Sequence, residues 1–245
     1  MGISSDSEKT LRIAIAATAA FAIGNLTWWM EPSIAHDMIE LYRVDQASAG
    51  LIVSAEMLAI ATSSFVTAKL IRDLPSRSIA IFGTILALIG TALSLISTEY
   101  WDLLCSRVLT GLGEGMPLAV ASAVVASLRN PSRIYALMNT FNVSVGTCAV
   151  FLSPLVIPFF PAGKSSFSIV GLTILFLIIA MNYLPKSLSQ ARSPDQQLRY
   201  IAPSFIQKFE NAALVSSVFL VTIMIAALWS FYYILGERAG LSGEA

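Results

Sequence analysis

The stretch that decides the fold is Leu103-Leu-Cys-Ser-Arg107-Val-Leu-Thr-Gly111-Leu-Gly113-Glu114-Gly115-Met-Pro117, which continues in an almost unbroken apolar run to Leu128. A spanning helix needs about 20 predominantly apolar residues, and this stretch supplies them. It also keeps an arginine and a glutamate, although a charge near a bilayer centre costs about 2.5–3.5 kcal/mol on insertion scales. A chain that retains two such charges on one helix must pair, hydrate or use them.

Outward from that run the rest of the chain has the same character. Of its 245 residues 56% are hydrophobic and 12% charged, and the mean hydropathy is +0.74. Soluble domains carry about a quarter charged residues, so the composition describes a polytopic protein of the lipid bilayer. Fifteen basic and fifteen acidic residues cancel, so nothing points to a nucleic-acid partner, which would require a basic face. Seven stretches are long and apolar enough to span: Leu11 to Met30, Ala47 to Ala68, Ile79 to Ser97, Leu103 to Leu128, Ile134 to Phe160, Phe167 to Leu184 and Ala212 to Leu235. The expected fold is therefore an all-α bundle of seven transmembrane helices. The first span lacks a small-residue cleavage site and reads as a retained helix rather than a signal peptide.

Basic residues fix the orientation. Eleven Lys and Arg fall on one side of the alternating loops and three, Arg43, Lys164 and Arg238, on the other. The positive-inside rule then places the N-terminus in the cytoplasm, with the protein in a bacterial inner membrane. The longest polar connection, Pro185 to Asn211, contains Lys186, Arg192, Arg199 and Lys208 among three prolines, and reads as a cytoplasmic linker. The domain plan is a six-helix bundle over 1–184, the linker over 185–211, and a seventh helix opening a second bundle over 212–245. The segment after span seven, Gly236 to Ala245, is similar in position to Leu41 to Gly50 after span one, as if the last helix restarts the first.

At helical spacing Arg107, Gly111 and Glu114 share one face, with the two charges about 10 Å apart along the axis. Arg107 reads as a solute contact, because a guanidinium pairs a carboxylate in bidentate fashion; snorkelling toward the outer surface is the alternative. Gly111, Gly113 and Gly115 read as a helix-packing face. Glu56 in span two falls at a similar depth to Glu114. The two carboxyls form a proton relay beneath Arg107, or Glu56 is a protonated group bonded to a neighbouring helix.

Several other features carry less. His36, the sole histidine, is placed in an outer loop beside Asp37, and no second ligand is near, so neither a metal nor a catalytic dyad is expected. No cofactor is expected either, because the glycine cluster follows no strand and lacks a phosphate-loop lysine. No span pairs a nucleophile with a base, so an intramembrane enzyme has little support. Cys105 and Cys148 read as small buried hydrophobes.

Six spans, a basic linker and a restart resemble the organisation of the major facilitator superfamily. The loop Ala68-Lys-Leu70-Ile-Arg72-Asp73-Leu-Pro-Ser-Arg77 is similar to that family's signature loop between spans two and three, with Ala for the first glycine, Arg72 and Asp73 in swapped order, and Pro75 where glycine is usual. Arg107 with Gly111, Gly113 and Gly115 resembles the family's second motif, and the Gly-Glu-Gly form with Pro117 is similar to its organic-anion branches. Gly146 and Pro154 are similar to an exporter kink motif at a different spacing. The resemblance implies a secondary transporter of a small organic solute, an organic anion, a sugar or a drug, working by alternating access and coupled to protons. It implies a gating role for Arg72, Asp73 and Arg77, and a missing C-terminal half-bundle as partner.

It further implies that spans one and four line the cavity, which makes Asn25 and Trp28 expected solute contacts; an interfacial aromatic belt is the other use of Trp28 and Trp29. On span five, Asn139, Asn142 and Gly146 form a polar stripe, with Asn142 the cavity-wall candidate and Asn139 the interhelical bond. The function from another class is a truncated, non-transporting membrane module that serves as an interaction partner.

Overall fold

The computed structural model describes residues 5–128, 130–156, 159–160 and 164–188, and the single positions 216, 217, 220 and 224. Two compact units divide the chain at Ser193 and Pro194. The first contains six helices: α1 Ser5–Tyr42, α2 Gln46–Leu70, α3 Ser76–Ile96, α4 Tyr100–Ala126, α5 Pro131–Val156 and α6 Ser165–Leu177, the last continued by a 3₁₀ segment, Ile178–Tyr183. All six are long and apolar enough to cross a membrane, counting α6 with its 3₁₀ extension. The 21 residues of α3 rise about 31 Å, the thickness of a hydrocarbon core. The expected seventh span, Ala212 to Leu235, falls outside the described residues apart from those four positions, which are helical.

The first helix corrects the sequence reading. It does not stop at Met30 but runs through Pro32 to Tyr42, so His36 and Asp37 lie on a helix and not in a loop. Proline removes one backbone donor, a loss that packed membrane helices tolerate. The apolar stripe Met30, Ile34 and Met38 continues past it at four-residue spacing and is fully buried, so packing carries the helix onward. Arg43, at φ 50°, takes the left-handed conformation that ends a helix. Two residues later Asp45 caps α2 by accepting from Ser48 N at 2.7 Å. The backbone N–H of Ser48, then its hydroxyl, hold the Asp45 carboxyl below the usual carboxylate range.

Helices α1 and α4 form the centre. Helix α4 packs most broadly on α3 and α2 and then on α1, while α5 and α6 lie against α1. Small residues make this possible. A side chain begun at Gly113 would sit 2.6 Å from the Gly83 carbonyl and 2.7 Å from Ala87 Cα, so only glycine lets α3 and α4 come this close. On α1 the fully buried Ala16, Ala17 and Ala20 serve the same end. From Phe82 to Ile96 the outer face of α3 is apolar, with Phe82, Ile85, Ile89, Leu93 and Ile96 exposed, as a lipid-facing surface requires.

Two smaller expectations also change. Cys105 and Cys148 are exposed on their helices rather than buried, as a weakly polar thiol against lipid tolerates. Asn139 is exposed as well; its amide turns back to the Tyr135 carbonyl at 2.9 Å and joins no other helix there.

Candidate functional site

The site is assembled where α1, α2 and α4 converge. At Gly111 a Cβ would lie 2.5 Å from the Glu56 carbonyl oxygen, so the absence of a side chain brings α2 against α4 at the level of Glu56. One turn earlier on α4, Arg107 meets that glutamate. Its Nε donates to Glu56 Oε2 at 2.9 Å, and its Nη2 donates to Glu56 Oε1. This is a bidentate ion pair, and both side chains are fully buried. The same Nη2 donates to Thr27 Oγ1 of α1 at 3.4 Å, and Thr27 in turn donates to Glu114 Oε1 at 2.6 Å.

A hydrogen-bonded chain therefore runs Glu56, Arg107, Thr27, Glu114 across three helices. The 10 Å between Arg107 and Glu114 on one helix face is bridged by a hydroxyl from another helix. Gly24 explains how Thr27 gets there: a Cβ at Gly24 would lie 2.9 Å from the Glu114 carbonyl, so α1 and α4 touch one turn before Thr27. The next turn of α1 buries Glu31, and Glu31 and Glu114 are both within electrostatic reach of Glu56. Two further carboxyl groups thus lie near the Arg107–Glu56 pair.

Burial sets the energetics. Desolvating a charge inside a protein costs several kcal/mol even after relaxation, and only good geometry with a partner offsets it. The Arg107–Glu56 fork supplies that geometry, and Phe167 of α6 adds a ring whose centroid lies 5.4 Å from Arg107 Cζ. Within the bonded chain from Glu56 to Glu114, Arg107 Nη1 and Glu114 Oε2 remain without a hydrogen bond. A network with one open donor and one open acceptor can take on or pass a proton, or re-pair when a helix shifts.

The remaining expected site residues stand apart from this chain of bonds. Asn25 is half-buried and its amide donates to Phe21 O of its own helix at 2.8 Å. Trp28 is half-buried well inside α1, whose candidate span runs to Ile39. Asn142 is buried on α5, one turn before Gly146, against which the Trp29 indole is pressed. Gly111 and Gly115 face α2, whereas Gly113 faces α3.

The loop between α2 and α3 is built differently. Arg72 and Asp73 are exposed and take part in no ion pair among the described residues. Arg77 Nε donates to Leu184 O at 2.7 Å, while Ser76 binds the residues after the 3₁₀ segment through its hydroxyl to Pro185 O at 2.7 Å and its N–H to Lys186 O at 3.1 Å. These groups border a surface cavity of about 720 Å³. Among the described residues no cluster of His, Cys, Asp and Glu is arranged to hold a metal ion.

Sequence reasoning missed Thr27, Glu31 and Phe167. A signal for the first two was present: Gly24, Thr27 and Glu31 recur at i, i+3 and i+7, which puts a small residue and two polar ones on a single face of an apolar helix. The face that bears the expected contacts Asn25 and Trp28 is turned about one residue from it. Phe167 had no local signal.

Six apolar helices packed around a fully buried ion pair define an integral membrane helical bundle. The chain belongs to the Major Facilitator Superfamily, whose family model matches residues 13–245. No curated protein sequence matches the chain. Among solved structures it is similar to a POT family transporter in complex with a thioalcohol-conjugated peptide, with TM-score 0.59 and 14% identity over 91% of this chain and 47% of that one. It is likewise similar to a POT family transporter in complex with 5-aminolevulinic acid, with TM-score 0.58, 14% identity and the same coverage. At such identity the likeness concerns the fold, and the chain spans about half the length of these structures.

Proposed function

We propose that the chain forms the first half of a secondary transporter that moves a small, carboxylate-bearing organic solute by alternating access, coupled to protons. The observation that carries this reading is the buried chain of bonds from Glu56 through Arg107 and Thr27 to Glu114, which ties together three helices at membrane depth. Protonating Glu56 removes the charge that holds Arg107. The freed guanidinium then takes the carboxylate of a solute, or re-pairs toward Glu114, and either change alters how α1, α2 and α4 sit together. Proton and solute are coupled because each has a different affinity for the two arrangements. Asn25, Trp28 and Asn142 contribute neutral contacts to the solute, and Gly111, Gly113 and Gly115 provide the close helix surfaces on which the shift occurs.

In this reading the N-terminus is cytoplasmic, residues 185–211 form the linker, and a C-terminal half-bundle completes the cavity. The charged loop of Arg72, Asp73 and Arg77 acts at the cytoplasmic mouth. The peptide and 5-aminolevulinic acid in the similar structures suggest probes of the right chemical class. The test is pH-gradient-driven uptake of a labelled dipeptide and of 5-aminolevulinic acid into vesicles containing the chain together with its C-terminal half-bundle. Wild type is expected to accumulate at least one of them, with Arg107→Ala and Glu114→Gln reduced at least tenfold. Variants that accumulate as wild type does would remove the assigned site.

A further inference from the structure

The start of α6 is held from outside its own sequence. Its N-cap residue, Lys164, makes no side-chain capping bond. A helix start left in that condition has unsatisfied N–H groups and the positive end of the helix dipole. Asp37 of α1 supplies both needs. Its Oδ2 accepts from the Ser166 backbone N–H at 3.0 Å and from the Ser165 hydroxyl at 3.5 Å. Asp37, Ser165 and Ser166 are all buried, so the bond is sheltered from water.

The next residue on α6 is Phe167, fully buried, with its ring over the Arg107 guanidinium. The first turn of α6 thus has Asp37 on one side and the Arg107–Glu56 pair on the other.

We infer that Asp37 is a positioning residue: by capping α6 from α1 it seats Phe167 against Arg107 and so holds the guanidinium in its fork with Glu56. The cap is non-local, joining residues 128 and 129 positions apart. When α1 and α6 separate, the cap and the ring contact are lost together. The outer end of the bundle is thereby linked to the charge pair by side chains that never touch the solute. The inference builds on the working role proposed for Arg107 and Glu56, yet the contact itself has a readout independent of transport.

That readout is the Nε–Hε resonance of Arg107 in the full chain, labelled with ¹⁵N-arginine, in lipid nanodiscs and assigned by its disappearance in Arg107→Lys. Phe167→Leu is expected to shift the resonance, because the ring no longer lies over the guanidinium. Asp37→Ala is expected to shift it in the same direction by at least half as much, and Asp37→Asn, which keeps the acceptor oxygen, by less. Ser166→Pro removes the donated N–H at a first-turn position where proline is tolerated, and is expected to match Asp37→Ala. A shift from Phe167→Leu with none from either Asp37→Ala or Ser166→Pro overturns the inference, and Ser166→Pro decides it alone should Asp37→Ala fail to fold. If the shifts appear while Arg107→Ala still transports, the positioning stands and the proposed function falls.

Discussion

Two charged stretches stand out in this chain, Arg107 to Pro117 in α4 and Arg72 to Arg77 between α2 and α3, and they are held in opposite ways. In the first, a fully buried arginine is fixed by a glutamate from α2, a hydroxyl from α1 and a ring from α6. In the second, Arg72 and Asp73 are exposed, while the neighbouring Ser76 and Arg77 bind the backbone carbonyls of Pro185 and Leu184, just after the 3₁₀ segment. Charge in an apolar interior is stable only when other elements supply partners, so its geometry is specified by the whole bundle. Charge at the surface is satisfied by water, and its geometry is specified by little.

The contrast can be broken most severely at Arg107. Removing one member of a buried pair leaves the other uncompensated, so Arg107→Ala or Glu56→Ala is expected to lower stability by about 3–5 kcal/mol. The double variant Arg107→Leu with Glu56→Leu is expected to recover much of that loss, measured by thermal unfolding in lipid nanodiscs. A double variant worse than both single ones would contradict the pair geometry.

Next in size is Gly111→Val, which forces a side chain against the Glu56 backbone and is expected to cost about 1–3 kcal/mol. Gly50→Val is the control, since a Cβ there meets nothing within 4 Å. Equal losses at the two glycines would show that α2 and α4 are not in the close contact described.

Thr27→Val keeps the shape of the side chain and deletes the hydroxyl that links Arg107 to Glu114. A loss of about 1–3 kcal/mol is expected, because a buried carboxylate oxygen is left without its donor. The smallest effect belongs to the loop: Arg72→Ala and Asp73→Ala are each expected to change stability by no more than about 0.5 kcal/mol. A large loss at either would place the loop charges in a network like the buried one.

How far this architecture could be read in advance depended on which forces acted locally. The spans are written in apolar length, and the special character of α4 in the cost of Arg107 and Glu114 among apolar neighbours. Depth counting even placed Glu56 at a similar level to Glu114. The end of α1 was hidden because Glu31-Pro32 looks like a helix stop, whereas the buried stripe through Met30, Ile34 and Met38 outweighs one lost backbone bond. Thr27 was overlooked because the neighbouring Asn25 and Trp28 drew the polar face of α1 about one residue away from the one that Gly24 presses against α4. The Asp37 cap on α6 could not be seen, since no local pattern tells a carboxylate which distant helix start it will meet.

The difference between the buried and exposed charges matters for function only if the buried pair responds to protons. The direct measurement is uptake of a labelled dipeptide, or of 5-aminolevulinic acid if wild type accumulates only that, into vesicles containing the Glu56→Gln chain together with its C-terminal half-bundle. It is made once with an imposed pH gradient and once as exchange against unlabelled solute with no gradient. The account predicts that Glu56→Gln loses gradient-driven accumulation but retains exchange, because the solute site survives while the proton-responsive partner of Arg107 is gone. Gradient-driven accumulation at the wild-type level in Glu56→Gln would contradict it.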